Sequence, residues 1–105
     1  MTDNYDLTGA CLVAIAQSLP SLEEIFLIRC GRVTDAGIIC LAISCPKLQV
    51  VDFSSTAVSN VGLAALVENC RDLKYVDTRG CKNLIGNPAE QYPHLKIRSD
   101  YGDWF

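Results

Sequence analysis

Apolar residues recur along this chain in two alternating rhythms. Leu48, Val51 and Phe53 are set among polar neighbours in the spacing of a short strand entered from a turn. Apolar residues at 38, 41 and 42 follow the other rhythm and form one stripe of a helix. Thr34 or Ser59 offers an N-cap oxygen ahead of each helical stretch, and Pro46 ends the one before it. The pattern predicts strand and helix in alternation.

The alternation is periodic. Leu22, Leu48, Leu73 and Leu95 each open a similar segment, at spacings of 26, 25 and 22. The segments read Pro-Ser-Leu-Glu-Glu-Ile-Phe-Leu-Ile-Arg-Cys, Pro-Lys-Leu-Gln-Val-Val-Asp-Phe-Ser-Ser-Thr, Arg-Asp-Leu-Lys-Tyr-Val-Asp-Thr-Arg-Gly-Cys and, shortened, Pro-His-Leu-Lys-Ile-Arg-Ser-Asp. Between them, Val33-Thr34-Asp35-Ala36-Gly37-Ile38 matches Val58-Ser59-Asn60-Val61-Gly62-Leu63, with a weaker copy at Leu7-Thr8-Gly9-Ala10-Cys11-Leu12. One strand plus one helix cannot bury its apolar face alone, whereas stacked copies share a continuous core. The chain therefore divides as one domain, 1–105, with units at about 7–30, 33–56 and 58–81 and a C-terminal cap at 82–105. In the shortened fourth segment, alignment on Leu95 puts Arg98 in an apolar column.

These segments resemble cysteine-containing leucine-rich repeats, whose period is about 26 residues. Cys45, Leu48, Val51 and Phe53 match the first half of that pattern, with Thr56 in place of its last cysteine. Cys70, Leu73, Val76 and Cys81 match it again, with Thr78 replacing a leucine, and residues 33–38 are a near-complete copy of the second half. The resemblance covers about residues 7–98. It implies an α/β fold: a short right-handed solenoid of about three to four strand–helix repeats, with a parallel sheet on its concave face. Such repeats are most familiar as the substrate-recruiting part of F-box proteins in ubiquitin ligases. The resemblance thus implies an adaptor or substrate receptor, although the 105 residues contain no F-box segment.

Composition narrows the chemistry. The net charge is −3, with 9 Lys+Arg against 12 Asp+Glu and no basic cluster, so nucleic acid is not an expected partner. No apolar run approaches the ~20 residues of a membrane span. The six cysteines (11, 30, 40, 45, 70 and 81) include no Cys-x-x-Cys pair, and His94 is the single histidine. Neither a metal site nor a disulfide framework is expected. The cysteines keep step with the repeat, as small buried hydrophobes in a reducing compartment would. Cytoplasm or nucleus fits, and a mitochondrial destination stays open. No catalytic residue or cofactor is expected: His94 reads as a turn residue, and the glycines at 37 and 62 belong to the repeat rather than to a phosphate loop.

A binding role places the candidates on the strand face turned from the helices. By register these are Glu24, Phe26 and Ile28, then Val50, Asp52 and Ser54, then Tyr75, Asp77 and Arg79, with Ser99 near the end. Asp52 and Asp77 share a column, where like charges are mildly unfavourable and a basic side chain from a partner would relieve them. Their alternative reading is as ordinary solvated positions. Trp104 and Phe105 would cover the last repeat or dock into a partner groove. The first strand leaves an edge carrying Phe26 and Ile28, to be covered by residues 1–6, by a missing segment or by another chain. The second functional expectation follows from that edge: a non-catalytic accessory subunit of a large assembly, such as a respiratory or ciliary one.

Overall fold

The computed structural model describes the backbone of residues 9–100, and the side chains of residue 12 and residues 14–100. Helix and strand alternate along it: α1 (Gly9–Ser18), β1 (Glu24–Phe26), α2 (Asp35–Ser44), β2 (Val50–Asp52), α3 (Asn60–Asn69), β3 (Tyr75–Asp77), α4 (Pro88–Gln91) and β4 (Lys96–Arg98). The four strands form one parallel sheet in chain order. Parallel neighbours need a long crossover, which here is the helix between them. α1 packs on α2, and α2 on α3. The expected α/β class and parallel sheet are both found. Residues 1–6, Trp104 and Phe105 lie outside the described residues. Among the described residues, no helix is long and apolar enough to cross a membrane.

The core is built in columns. Ile25 pairs with Val51, Val51 with Val76, and Val76 with Ile97, and all four are buried. Leu27 and Phe53 continue the buried side, as do Leu41, Leu66, Leu48 and Leu73. The same turn closes each unit: Leu22, Leu48, Leu73 and Leu95 donate their N–H to the carbonyls of Leu19, Cys45, Cys70 and Tyr92, three residues back, at 3.0–3.3 Å. After each of the first three strands the chain turns through a left-handed residue, at Arg29, Ser55 and Gly80. At Gly80 a Cβ would also lie 2.6 Å from the Ser55 hydroxyl, so a larger residue there would have to displace that side chain as well as take up the left-handed backbone.

The fourth unit corrects the sequence alignment. One residue separates Leu95 from the next core position, where the earlier units have two. Ile97 therefore fills the core column, Arg98 pairs with Asp77 on the outward side, and Ser99 is buried at 5% exposure. Arg98 is not in an apolar column, and Ser99 is not an outward residue. This unit is shorter because Pro88 begins α4 after the Asn87 cap, and the helix lasts only four residues.

Neighbouring units are stitched by one polar column. Asp35, in the first turn of α2, reaches the start of α3. Its Oδ1 accepts from Ser59 N (2.7 Å) and Gly62 N (3.1 Å), and its Oδ2 accepts from the Ser59 hydroxyl (2.5 Å). A carboxylate suits a helix N-terminus, where unpaired N–H groups and the dipole favour negative charge. Gly62 is needed for this approach, since a Cβ would meet Asp35 Oδ1 at 2.6 Å and Val58 Cγ1 at 2.7 Å. One unit on, Asn60 stands in the place of Asp35. Its partner, Ile85, presents both a donor and an acceptor: Asn60 Oδ1 accepts from Ile85 N (2.8 Å), and Asn60 Nδ2 donates to Ile85 O (2.9 Å). An amide can do both, whereas a carboxylate such as that of Asp35 can only accept. The expected caps hold in part. Ser59 accepts from Val61 N at 3.3 Å, but Thr34 makes no side-chain cap bond.

Candidate docking face

The outward side of the sheet carries three columns of side chains. Strand pairing aligns Glu24, Val50, Tyr75 and Lys96 in one, and Phe26, Asp52, Asp77 and Arg98 in the next. Ile28, Ser54 and Arg79 follow in the third, carried by bonds from Arg29 N to Ser54 O and from Ser55 N to Arg79 O. All nine candidate positions thus lie on one surface. Glu24 and Arg79 are exposed; Phe26, Ile28, Val50 and Tyr75 are half-buried.

The two aspartates are not solvated. Asp52 is 7% exposed, Asp77 1% and Ser54 7%. A two-residue turn explains how each acid is held: Asp52 Oδ1 accepts from Ser54 N (2.9 Å), and Asp77 Oδ1 from Arg79 N (3.1 Å). Beyond this shared motif the rows diverge. Arg79 folds back over Asp77, with Nε 3.1 and 3.2 Å from its two oxygens and Nη2 2.8 Å from Oδ2. The Tyr75 hydroxyl donates to the same Oδ2 at 3.5 Å. The bond to Asp77 and its charge raise the Arg79 pKa. Burial, then the nearby Asp77 charge, lift the Tyr75 hydroxyl above the ordinary tyrosine range.

Among the described residues, no cation is bonded to Asp52 in this way. Serine and isoleucine stand at positions 54 and 28, where the third row has Arg79. Burial pushes the Asp52 carboxyl up; the Ser54 bonds oppose this, Asp77 adds to it, and Arg79 offsets it least. The sequence pattern named these residues but could not show which acid was already neutralised, because that depends on one side chain two positions along.

Among the described residues no group of His, Cys, Asp and Glu could hold a metal ion. The five described cysteines are free. Cys45 and Cys70 act as donors at helix ends. The Cys45 thiol reaches Ala16 O (3.6 Å) and Leu19 O (3.3 Å), and the Cys70 thiol reaches Ala42 O (3.7 Å) and Cys45 O (3.6 Å). Burial holds both thiols protonated, with Cys70 pushed up to about 11. His94 borders an open cavity of about 500 Å³ with Val67, Cys70, Arg71 and Leu95. A thiol with a raised pKa and two carbonyl acceptors is the reverse of an activated nucleophile.

No family model matches the chain. It is 31% identical over 67 residues to the "Antagonist of mitotic exit network protein 1" of Saccharomyces cerevisiae, covering 60% of this chain and 12% of the yeast protein. It is 30% identical over 74 residues to the protein of the same name from Eremothecium gossypii, covering 67% of this chain and 19% of that protein. The chain thus spans less than a fifth of the length of these curated relatives.

Proposed function

We propose that this chain is a short leucine-rich-repeat solenoid working as a non-catalytic protein-docking module, with the outward sheet face as its binding surface. The observation that carries this reading is the ordered face itself: nine residues in three columns, mixing half-buried Phe26, Ile28, Val50 and Tyr75 with buried acids. Aromatic and aliphatic anchors ringed by polar groups suit a protein partner. The two relatives are named as antagonists of the mitotic exit network, and a docking module fits antagonism exerted through binding. Within that reading, the repeat type favours a substrate-recruiting adaptor of a ubiquitin-ligase-type complex acting inside the cell.

A second reading has its own observation. Among the described residues, β1 pairs with a strand on one side only, and Phe26 and Ile28 lie on it or just beyond it. An accessory subunit would be covered there by a neighbour.

Affinity capture of the tagged full chain from native extract, with mass spectrometry, separates the two. Reversible capture of ligase subunits that is lost in Tyr75→Ala supports the adaptor. Stoichiometric recovery in one large complex, sensitive to Ile28→Ser and indifferent to Tyr75→Ala, supports the accessory subunit and overturns the adaptor.

A further inference from the structure

Each outward row has the same three positions, and the rows differ in how charge is balanced. In the third row Asp77 is covered by Arg79 from two residues along. In the second row the equivalent of Arg79 is Ser54. Asp52 is as good as buried, at 7% exposure, and among the described residues its carboxylate is hydrogen-bonded only within its own turn, to Ser54. Arg79 is folded onto Asp77 through Nε and Nη2, and its charge is the weakest of the influences on Asp52. A buried carboxylate without a countercharge is costly, and its cost falls when a cation arrives. In register with Asp52, one strand over, is the ring of Phe26. Parallel strands lie about 4.8 Å apart, so one side chain can meet both. Val50 and Ile28 border the place with half-buried aliphatic surface, suited to the methylene stem of a long basic residue.

We propose that the partner segment held on this face is anchored by a cationic side chain, arginine or lysine, seated on the Asp52 carboxylate against the ring of Phe26. This rests on the docking-face reading above. The partner's cation completes the second row as Arg79 completes the third, and the aromatic ring adds a cation–π contact. The rest of the partner segment is uncharged or basic where it passes Glu24 and Val50.

The test uses a phage-displayed random-peptide library panned on the full chain, with Asp52→Asn and Ser54→Arg as variants. Ser54→Arg supplies, inside the chain, the cation that the third row already has. Thermal melts establish that both variants are folded, and amide NMR maps where selected peptides bind. The expected result is enrichment of peptides with one fixed Arg or Lys beside apolar residues. Their affinity falls roughly tenfold or more in both variants, and shifts are centred on Phe26, Asp52 and Ser54. Peptides that map to the face but bind both variants as tightly as the native chain overturn the cationic anchor and leave the docking face standing. No enrichment, or shifts only away from the sheet, overturns both.

Discussion

At the scale of single residues, the strongest constraints come from polar groups that the fold has taken out of water. Cys70 is one. Its folded pKa of about 11 lies above the ~8.5 of an unfolded thiol. The native state therefore holds that proton more tightly. The stability this adds is complete below about pH 8.5 and is lost as pH rises through 11. Urea midpoints measured at neutral and strongly alkaline pH should fall for the native chain, and fall less for Cys70→Ala. Asp52 works in the opposite sense at neutral pH. Its folded pKa is also raised, so its contribution is present below the ordinary carboxylate pKa and gone once pH has passed the raised value. Asp52→Asn should therefore melt at the same temperature as the native chain or higher at pH 7. A marked drop would mean the carboxylate is better compensated than its contacts imply.

At the scale of elements, the Asp35 bridge sets how adjoining helices meet. Asp35→Ala removes the acceptor for two backbone N–H groups and a hydroxyl, and should cost about 1–3 kcal/mol in chemical denaturation. Gly62→Ala alone drives a methyl into the same carboxylate. In the double variant one of the two clashes disappears, so the measured loss should be smaller than the sum of the single losses, a coupling that a double-mutant cycle reads directly. Leu48→Ala and Val76→Ala, both at fully buried sites, should each cost ~2–4 kcal/mol. Much of this level was legible in the sequence. Leu22, Leu48, Leu73 and Leu95 announce the turns, and the apolar spacing places strand and helix. Asp35 was not legible as a bridge, because its partners lie 24 and 27 residues away and its local setting is that of a simple first-turn acid. The one-residue slip at Ile97 was hidden for another reason: counting from Leu95 assumes a connection of fixed length, while burial alternation decides the register.

At the scale of the whole molecule, the sheet gives the face its order and the side chains give it a gradient. β1 and β2 contribute Glu24, Phe26, Val50 and Asp52, acidic and apolar. β3 with the turn after it, and β4, contribute Arg79, Lys96 and Arg98, with Asp77 already paired to Arg79. The sequence located this surface but not its polarity. Reading Asp52 and Asp77 as like members of one column missed that one is neutralised and the other is not. A surface with unlike halves gives a bound segment a direction, so a peptide selected on the face should lose affinity when its sequence is reversed, as isothermal titration would measure.

The matched polar columns have a consequence for the length of the protein itself. Asp35 and Asn60 occupy the same position in consecutive units, as do Ile38 and Leu63, Leu41 and Leu66, and Cys45 and Cys70. Excising residues 35–59 would join Thr34 to Asn60 and bring α3 against α1. Asn60 would keep Ile85, Ile25 would face Val76, and the Cys70 thiol would inherit the Ala16 and Leu19 carbonyls from Cys45. Two misfits arise: Val67 in place of the buried Ala42, a crowding of two methyl groups that costs about 1–3 kcal/mol, and Thr78 in place of the buried Phe53 beside Leu27, which loses apolar contact. The shortened chain should still unfold cooperatively, with one strand fewer and without the Asp52 row. In such a fold a whole unit can be lost or gained as a single genetic event, and the docking face can be lengthened or trimmed without redesigning what lies beneath it.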